Sequence, residues 1–511
     1  VKLNDQVSKM VQPNEWEYTY KYDTAGRLGN ITSPLGYTTY FSYDLADNII
    51  KERNSLDQTT TYAYDKLHRM TGSVDAKGGT STFAYDIRDN LTSETDALGR
   101  TTTYTYDKTG NMIQSVNPLE QVTELVYDPV GNLKETTLPG GRTTSYQYDG
   151  NYNLTKTTDP MGNATSYAYD KSNRLTKETD ALKQKESYQY DKDGRITKLT
   201  DKAGHSTGYA YDNHGNVKTV TDKTGLNIQF DYDANDNLTK VTDAMGGVTT
   251  YGYDSMDWMT SYTNALGKTT EYTYDLEGNL TSRKDAAGRT EQFGYDESGK
   301  LTEYTAPSGK KISYDYDELN ELIKKSYETA KGKKADDDVL YAYDAAGQRV
   351  SMTDAIGAAA YEYDALGRVT KAKDSAGQTV TYAYSESGNL QEMGYPDGTK
   401  VTYEYDLNDN LIKITDRQGA VTEYQYDALN RMVKTIRPNE IVTDVTYDAL
   451  DHITKLVTSC AGCEEVLSTY EYTYNDQGYI ISEKATESLA GYVYDDKHDG
   501  KHEDGKHDSE Y

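Results

Sequence analysis

Residues 86–107 read DIRDNLTSETDALGRTTTYTYD. Two short stretches, Leu91 to Thr95 and Thr101 to Tyr106, are each bounded by turn-forming residues. Thr and Tyr favour strands, and the alternation Tyr104-Thr105-Tyr106 puts both rings on one face. The segments between them carry Asp, Asn and Gly, the residues that tight turns use. This is one copy of many. Fifteen Tyr-Asp pairs fall on an unbroken 21-residue grid from Tyr22-Asp23 to Tyr316-Asp317, and the register resumes after two insertions and runs to Tyr494-Asp495. A chain with such a period is one supersecondary unit stacked on itself, so no unit is a domain alone.

The period repeats side chains as well as turns. Two residues before each Tyr of the pair stands Tyr or Phe almost everywhere, as in Tyr20, Phe41, Tyr62 and Phe83. Six residues after it comes an aliphatic residue: Leu28, Ile49, Met70, Leu91, Met112, Leu133. One face is then aromatic and aliphatic, the other Thr, Ser, Lys and Glu, as in an antiparallel sheet with one buried face. Eight of the nine prolines take the second position of a turn, seven at one end of the repeat and Pro129 at the other. Proline there pre-sets a type I or II turn, which Gly36, Gly162 and Gly309 close. Three residues after the Asp, 20 of 23 repeats place Gly, Asp or Asn, which tolerate the left-handed conformation of a turn followed by a bulge. His68, Tyr152 and His498 break that rule. The Asp is expected to accept hydrogen bonds from turn amides; calcium binding is the competing role, but the segment lacks the dense carboxylates that such sites need. The expected structural residues in two representative repeats are Leu91, Tyr104, Tyr106, Asp107 and Gly110, and Tyr272, Tyr274, Asp275 and Gly278.

Bulk composition narrows the function. The 511 residues carry 54 Lys and Arg against 83 Asp and Glu, a net charge of -29. Such a chain repels phosphate backbones and anionic membrane surfaces, so neither nucleic acid nor membrane insertion is expected. Low aliphatic content with high charge is usually a mark of disorder, yet 51 tyrosines held in register make Tyr the core-forming aromatic. The array is expected over 18–494, after a lead-in at 1–17 and before a disordered His-containing tail at 495–511. His498, His502 and His507 of that tail could hold a transition metal weakly. The first residue is Val1, which points to a start inside a longer protein. One insertion, near 328–338, includes the polar run Lys331 to Asp338 and is expected as a surface loop. The other, near 457–468, contains Cys460-Ala-Gly-Cys463, for which a local loop disulfide or two free thiols are expected. No partner pair for a zinc site exists.

Twenty-three repeats imply about 46 strands, and at ~4.8 Å per strand that is roughly 220 Å of sheet. A sheet so wide must curl. The expected fold class is all-β, an array of antiparallel hairpins spiralling into a curved strip or hollow shell; a parallel solenoid with one coil per repeat is the alternative. No Ser-His-Asp order, glycine-rich phosphate loop or zinc spacing appears, so no enzyme and no cofactor is expected.

The motif Tyr-x-Tyr-Asp-x-x-Gly-Asn-Leu followed by Thr-Asp-Ala-x-Gly, plain from Tyr104 to Leu119 and from Tyr272 to Gly288, resembles the YD-repeat or RHS family. That family includes bacterial polymorphic toxins, wall-associated proteins, the C components of insecticidal toxin complexes and teneurins. The resemblance implies a β-strip spiralling into a shell that often holds a C-terminal toxic domain, cut free by an aspartyl self-cleavage site. No Asp-Pro-x-Gly signature stands near the end of this chain, so those aspartates map onto no residue here. The expected role is a secreted or cell-surface bacterial scaffold whose partners are other domains of a longer polypeptide or its effector. The alternative is an adhesion module whose partners are surface glycans.

Overall fold

In the computed structural model, residues 6–13, 16–328, 338–462, 465–475 and 477–487 are described. They form 45 strands and no helix, so among them no helix is long and apolar enough to cross a membrane. The chain divides into two units, 1–419 and 420–511. His498, His502 and His507 lie outside the described residues, as do 329–337 of the first insertion.

In the first unit every repeat is a hairpin. A six-residue strand such as Thr101–Tyr106 ends on the tyrosine of the pair, and the five-residue strand Met112–Val116 returns. All pairings in the unit are antiparallel, which rules out the parallel solenoid. Within the hairpin, Thr105 pairs with Gln114 but Tyr106 pairs with Met112, leaving Ile113 as a one-residue bulge. The same slip recurs at Tyr22, Tyr169 and Tyr274. Towards the preceding hairpin the ladder is shorter: Thr101, Thr102 and Thr103 pair with Thr95, Glu94 and Ser93, and pairing stops there.

Both ends of the hairpin close by the same turn. At the Tyr-Asp end the Gly110 amide donates to the Asp107 carbonyl (3.3 Å) and the Asp107 amide to the Asn111 carbonyl (2.9 Å). At the other end Gly99 and Asp96 make the equivalent bonds at 2.9 and 3.1 Å. The residue at the fourth position is left-handed in both, with φ 90° at Gly110 and 78° at Gly99. Bulge-type turn chemistry, expected at one end only, thus governs both. His68 (φ 64°) and Tyr152 (φ 66°) adopt the conformation their residue types disfavour, because the hairpin register leaves no other.

The expected buried face is only half-buried. The strand Thr101–Tyr106 alternates exposed and half-buried residues, and across the described residues only Val442, Asp180, Ser326 and Thr435 are buried. Among the described residues each strand packs only against its neighbours in the chain, so the sheet of each unit is a single layer and a ring is covered by its neighbours along the sheet.

The second unit continues the pattern from Val421–Tyr426 to Ile480–Glu487 with longer strands. Its insertion is no loop: it lengthens the hairpin arms to Ile453–Cys460 and Glu465–Tyr474, with Cys460 paired to both Ile441 and Glu465. Cys460 is disulfide-bonded. Cys463 lies outside the described residues.

Candidate functional site: the staples, the rail and the seam

In most repeats the tyrosine of the pair completes the ladder that its own strand leaves short. The Tyr106 hydroxyl donates to the Leu91 carbonyl of the preceding hairpin at 2.8 Å. The same bond joins Tyr190 to Leu175 (2.6 Å), Tyr211 to Ile196 (2.7 Å) and Tyr274 to Met259 (2.8 Å). Its donor and acceptor are 15 residues apart, 14 where Tyr363 reaches Arg349, and 21 where Tyr343 reaches Leu322 and Tyr474 reaches Ile453 across the insertions. A carbonyl at a splayed ladder must find a donor, and only Tyr combines a strand-packing ring with a hydroxyl at that reach. All four phenylalanines, Phe41, Phe83, Phe230 and Phe293, stand two residues earlier, where this bond is not made. Tyr104, at that earlier position, donates instead to Glu94 (2.6 Å); burial, then Glu94, pushes its hydroxyl up to about 12.

The paired Asp organises its turn. Asp107 Oδ1 accepts the amides of Thr109 (2.8 Å) and Asn111 (2.9 Å), and Oδ2 accepts the Asn111 side chain (3.0 Å). The Thr109 hydroxyl, then the Asn111 groups, outweigh desolvation and hold this carboxyl down at about 2. Asp275 is filled likewise by Glu277 and Asn279. Gly278 (φ 87°) is needed twice over, since a Cβ there would come within 2.7 Å of the Trp258 ring. These oxygens face amides of their own turn, the use expected from the sequence.

The residue four after the Asp carries order from turn to turn. Arg27 binds Asp23 (2.8 Å), then reaches the Asp44 carbonyl (2.7 Å) and the Asp47 carboxylate (2.9 Å) of the next repeat while stacking over the Tyr43 ring at 4.8 Å. Arg69 repeats the arrangement over Tyr85, and Arg431 over Tyr447. Where the residue is Trp258 or His452, the ring stacks on Tyr274 or Tyr474 instead. Asp47, Asp89 and Asp257 explain why Asp replaces Gly at some left-handed positions: each accepts a bond from the neighbouring repeat. A polar rail thus runs along the Tyr-Asp edge.

Within the first unit the strip also meets itself. Counted between the first residues of each turn, the plain turns of early repeats lie against the Tyr-Asp turns of repeats 242 to 248 residues later. Lys77 binds both Asp317 and Glu321, the latter at 2.6 Å. Arg100 donates to Gln348 (2.9 Å), Arg142 binds Asp409 and the Ser387 carbonyl (3.2 Å), and Asn408 donates to Asp159 (2.6 Å). Burial would push the Lys77 ammonium down, but Asp317 and Glu321 raise it; Glu321 is raised by burial, and Asp317 is lowered because Lys77 and turn amides outweigh burial. The separation is a whole number of repeats plus one half, so opposite edges of the strip come together. It grows from 242 residues, as from Asp75 to Asp317, to 247 or 248, as from Asp159 to Asp406 and from Asp96 to Asp344, once the first insertion falls inside the span. The inserted residues therefore leave the pairing of turns undisturbed.

This geometry has relatives. The RHS repeat model matches residues 43–80, 85–121, 127–160, 153–185, 343–379, 363–400 and 405–441, and the teneurin YD-shell model matches residues 200–334. The chain belongs to the RHS/YD-repeat family. Its YD repeats are similar in fold to the crystal structure of TcdB2-TccC3-Cdc42, at TM-score 0.64 and 12% identity over 92% of this chain and 36% of that one. The TcdB2-TccC3 crystal structure matches at TM-score 0.61 and 14% identity, over 92% and 31%. A Tc holotoxin pore from Photorhabdus luminescens matches at TM-score 0.56 and 16% identity, over 91% and 34%. The YD-repeat chain thus spans about a third of the length of these solved chains. No curated protein matches the sequence.

Of the residues expected to matter, the structure brings Leu91 to Tyr106 and joins Asp107 with Gly110 in one turn; Tyr274, Asp275 and Gly278 meet around Trp258. Tyr272 pairs across the hairpin with Arg283. The seam residues Lys77, Arg100, Arg142 and Glu321 carry no local signal, because each lies in an ordinary turn and acquires its role from a repeat more than 200 residues away.

Proposed function

We propose that this chain is a structural, non-enzymatic segment of a YD-repeat shell that encloses or presents a polypeptide effector outside the bacterium that makes it. One observation carries the reading: within the first unit a sheet that is a single layer among the described residues locks its opposite edges together after eleven and a half repeats. Such a sheet gains little from a core of its own. Its closed edge makes it a wall. Twenty-three strands per circuit at ~4.8 Å each give a circumference of roughly 110 Å and a backbone diameter of about 35 Å. The partners in this reading are the other parts of a longer polypeptide, the effector among them.

The family membership and the fold shared with toxin-complex chains support the reading. The tyrosine rings that an adhesion module would offer to sugars are committed here to bonds between neighbouring hairpins. Cryo-electron microscopy of the natural full-length product is the test. The expected map has a closed wall around additional density; a flat ribbon, or a lumen too narrow for any chain, would dispose of the proposal.

A further inference from the structure

One stretch of the seam is built without its cation. Around Lys77 the second-circuit carboxylates Asp317 and Glu321 are met by the third residue of a first-circuit turn. In the two preceding turns that third residue is Leu56 and Leu35. On the opposing side Lys300 and Asn279 stand at the place of Glu321, but Asp296 keeps the place of Asp317, and it lines a cavity of about 600 Å³ together with Glu277, Glu297 and Glu52 of the first circuit. Among the described residues no Lys or Arg lines it. Among the described residues none of these four carboxylates forms an ion pair, and Glu277 is held only by long bonds from the Tyr18 hydroxyl and the Leu35 amide, both 3.4 Å.

The remaining walls are aromatic. Tyr18, Tyr37 and Phe41 face the same space. Tyr37 is raised, first by burial and then by the charges of Glu297, Asp275, Glu277 and Asp296. The buried Ser33 Oγ, without a hydrogen-bond partner, lines the cavity too. A ring beside a carboxylate is what this chain uses elsewhere to hold a guanidinium. Arg27 lies between the Asp23 carboxylate and the Tyr43 ring, and Arg431 between Asp427 and Tyr447. The cavity reproduces both walls of that sandwich and lacks its filling.

We propose that this cavity binds an arginine side chain presented by a polypeptide lying against the wall. The planar guanidinium stacks on Tyr37 or Phe41 and donates in paired fashion to Glu277 and Glu297, as its fixed fork allows. Charge complementarity selects a basic segment, and a cavity of this size admits one such side chain with its adjoining backbone. The inference does not depend on enclosure, since a free peptide reports the site whether or not the chain forms part of a shell.

The test is calorimetry on the full chain at low salt with acetyl-Gly-Arg-Gly-amide, beside the citrulline peptide, which keeps the shape and loses the charge. The arginine peptide is expected to bind and the citrulline peptide to bind at least about tenfold more weakly. Glu277→Gln with Glu297→Gln should weaken the arginine peptide by about tenfold or more, and Tyr37→Leu should weaken it severalfold. Glu392→Gln with Glu404→Gln removes the same charge from surface pairs with Lys400 and Lys413 and should leave affinity within about twofold. Glu52→Gln alone serves if the double variant does not fold, as judged by circular dichroism. Absence of arginine binding, equal binding of the citrulline peptide, or equal loss in the remote pair would each overturn the proposal.

Discussion

Replacing Lys77 by Met removes one ammonium and almost no volume, leaving Asp317 and Glu321 facing each other. Their side chains are 8% and 13% exposed and Lys77 is 31% exposed, so the site is neither a surface pair nor a fully buried one. Surface pairs contribute about 0–1 kcal/mol, whereas stripping one partner from a buried pair costs about 3–5 kcal/mol. The intermediate exposure places the cost near ~2 kcal/mol, about thirtyfold in the local opening equilibrium. The loss falls on the seam, because the hairpin bonds of both turns are independent of Lys77. Native-state hydrogen exchange should therefore show faster exchange at the Asp317 to Glu321 turn by about that factor, with the turn at Asp107 unchanged. Adding Glu321→Gln should restore about half of the protection by removing one of the two stranded charges. Exchange within about twofold of the parent at Asp317 to Glu321, or a double variant less protected than the single one, would refute the view that the seam is held by ion pairing.

Further outcomes follow from the repeat itself. Tyr190→Phe deletes the 2.6 Å bond to the Leu175 carbonyl and should cost about 1 kcal/mol, read by exchange in the strand Leu175–Thr179; Phe83→Tyr, at the position that makes no such bond, should change stability by less than about 0.5 kcal/mol. Tyr152→Gly relieves a left-handed non-glycine residue on an exposed turn and should stabilise by about 1 kcal/mol in thermal melts; a destabilised variant would contradict that account. The turn carboxyls titrate lower folded than unfolded: Asp107 at about 2 against an ordinary 3.8, and Asp23 and Asp65 also lowered, by the Arg27 amide and the Arg69 side chain. Their contribution is fully present above pH about 4 and is lost as the pH falls through their folded values towards 2. The melting temperature should be flat from pH 7 to about 5 and fall steeply between about 4 and 2; a fall beginning near pH 6 would assign acid sensitivity to other groups.

Much of the wall was legible in the chain. The strands read from residues 86–107, Leu91 to Thr95 and Thr101 to Tyr106, are those observed. The prolines read as second turn residues hold that position, Pro34 between Ser33 and Gly36 and Pro129 between Asp128 and Gly131. These features depend on residues less than one repeat apart, where residue type and backbone preference act directly. The confinement of all four phenylalanines to one of two aromatic positions also lay in the sequence, but its meaning needs the splayed ladder that leaves the Leu91 carbonyl to Tyr106. The depth of the aromatic face was not legible. An alternating pattern says which side is apolar, not whether a second layer covers it.

The 21-residue period, the hairpin and the pairing of each strand with its chain neighbours were determined by sequence alone, because every bond involved closes a short loop. Tertiary structure decided which turn meets which. The small rotation between adjacent strands accumulates over many hairpins, and no local residue choice states its sum. Only that sum brings Lys77 to Asp317 and Leu35 to Glu277.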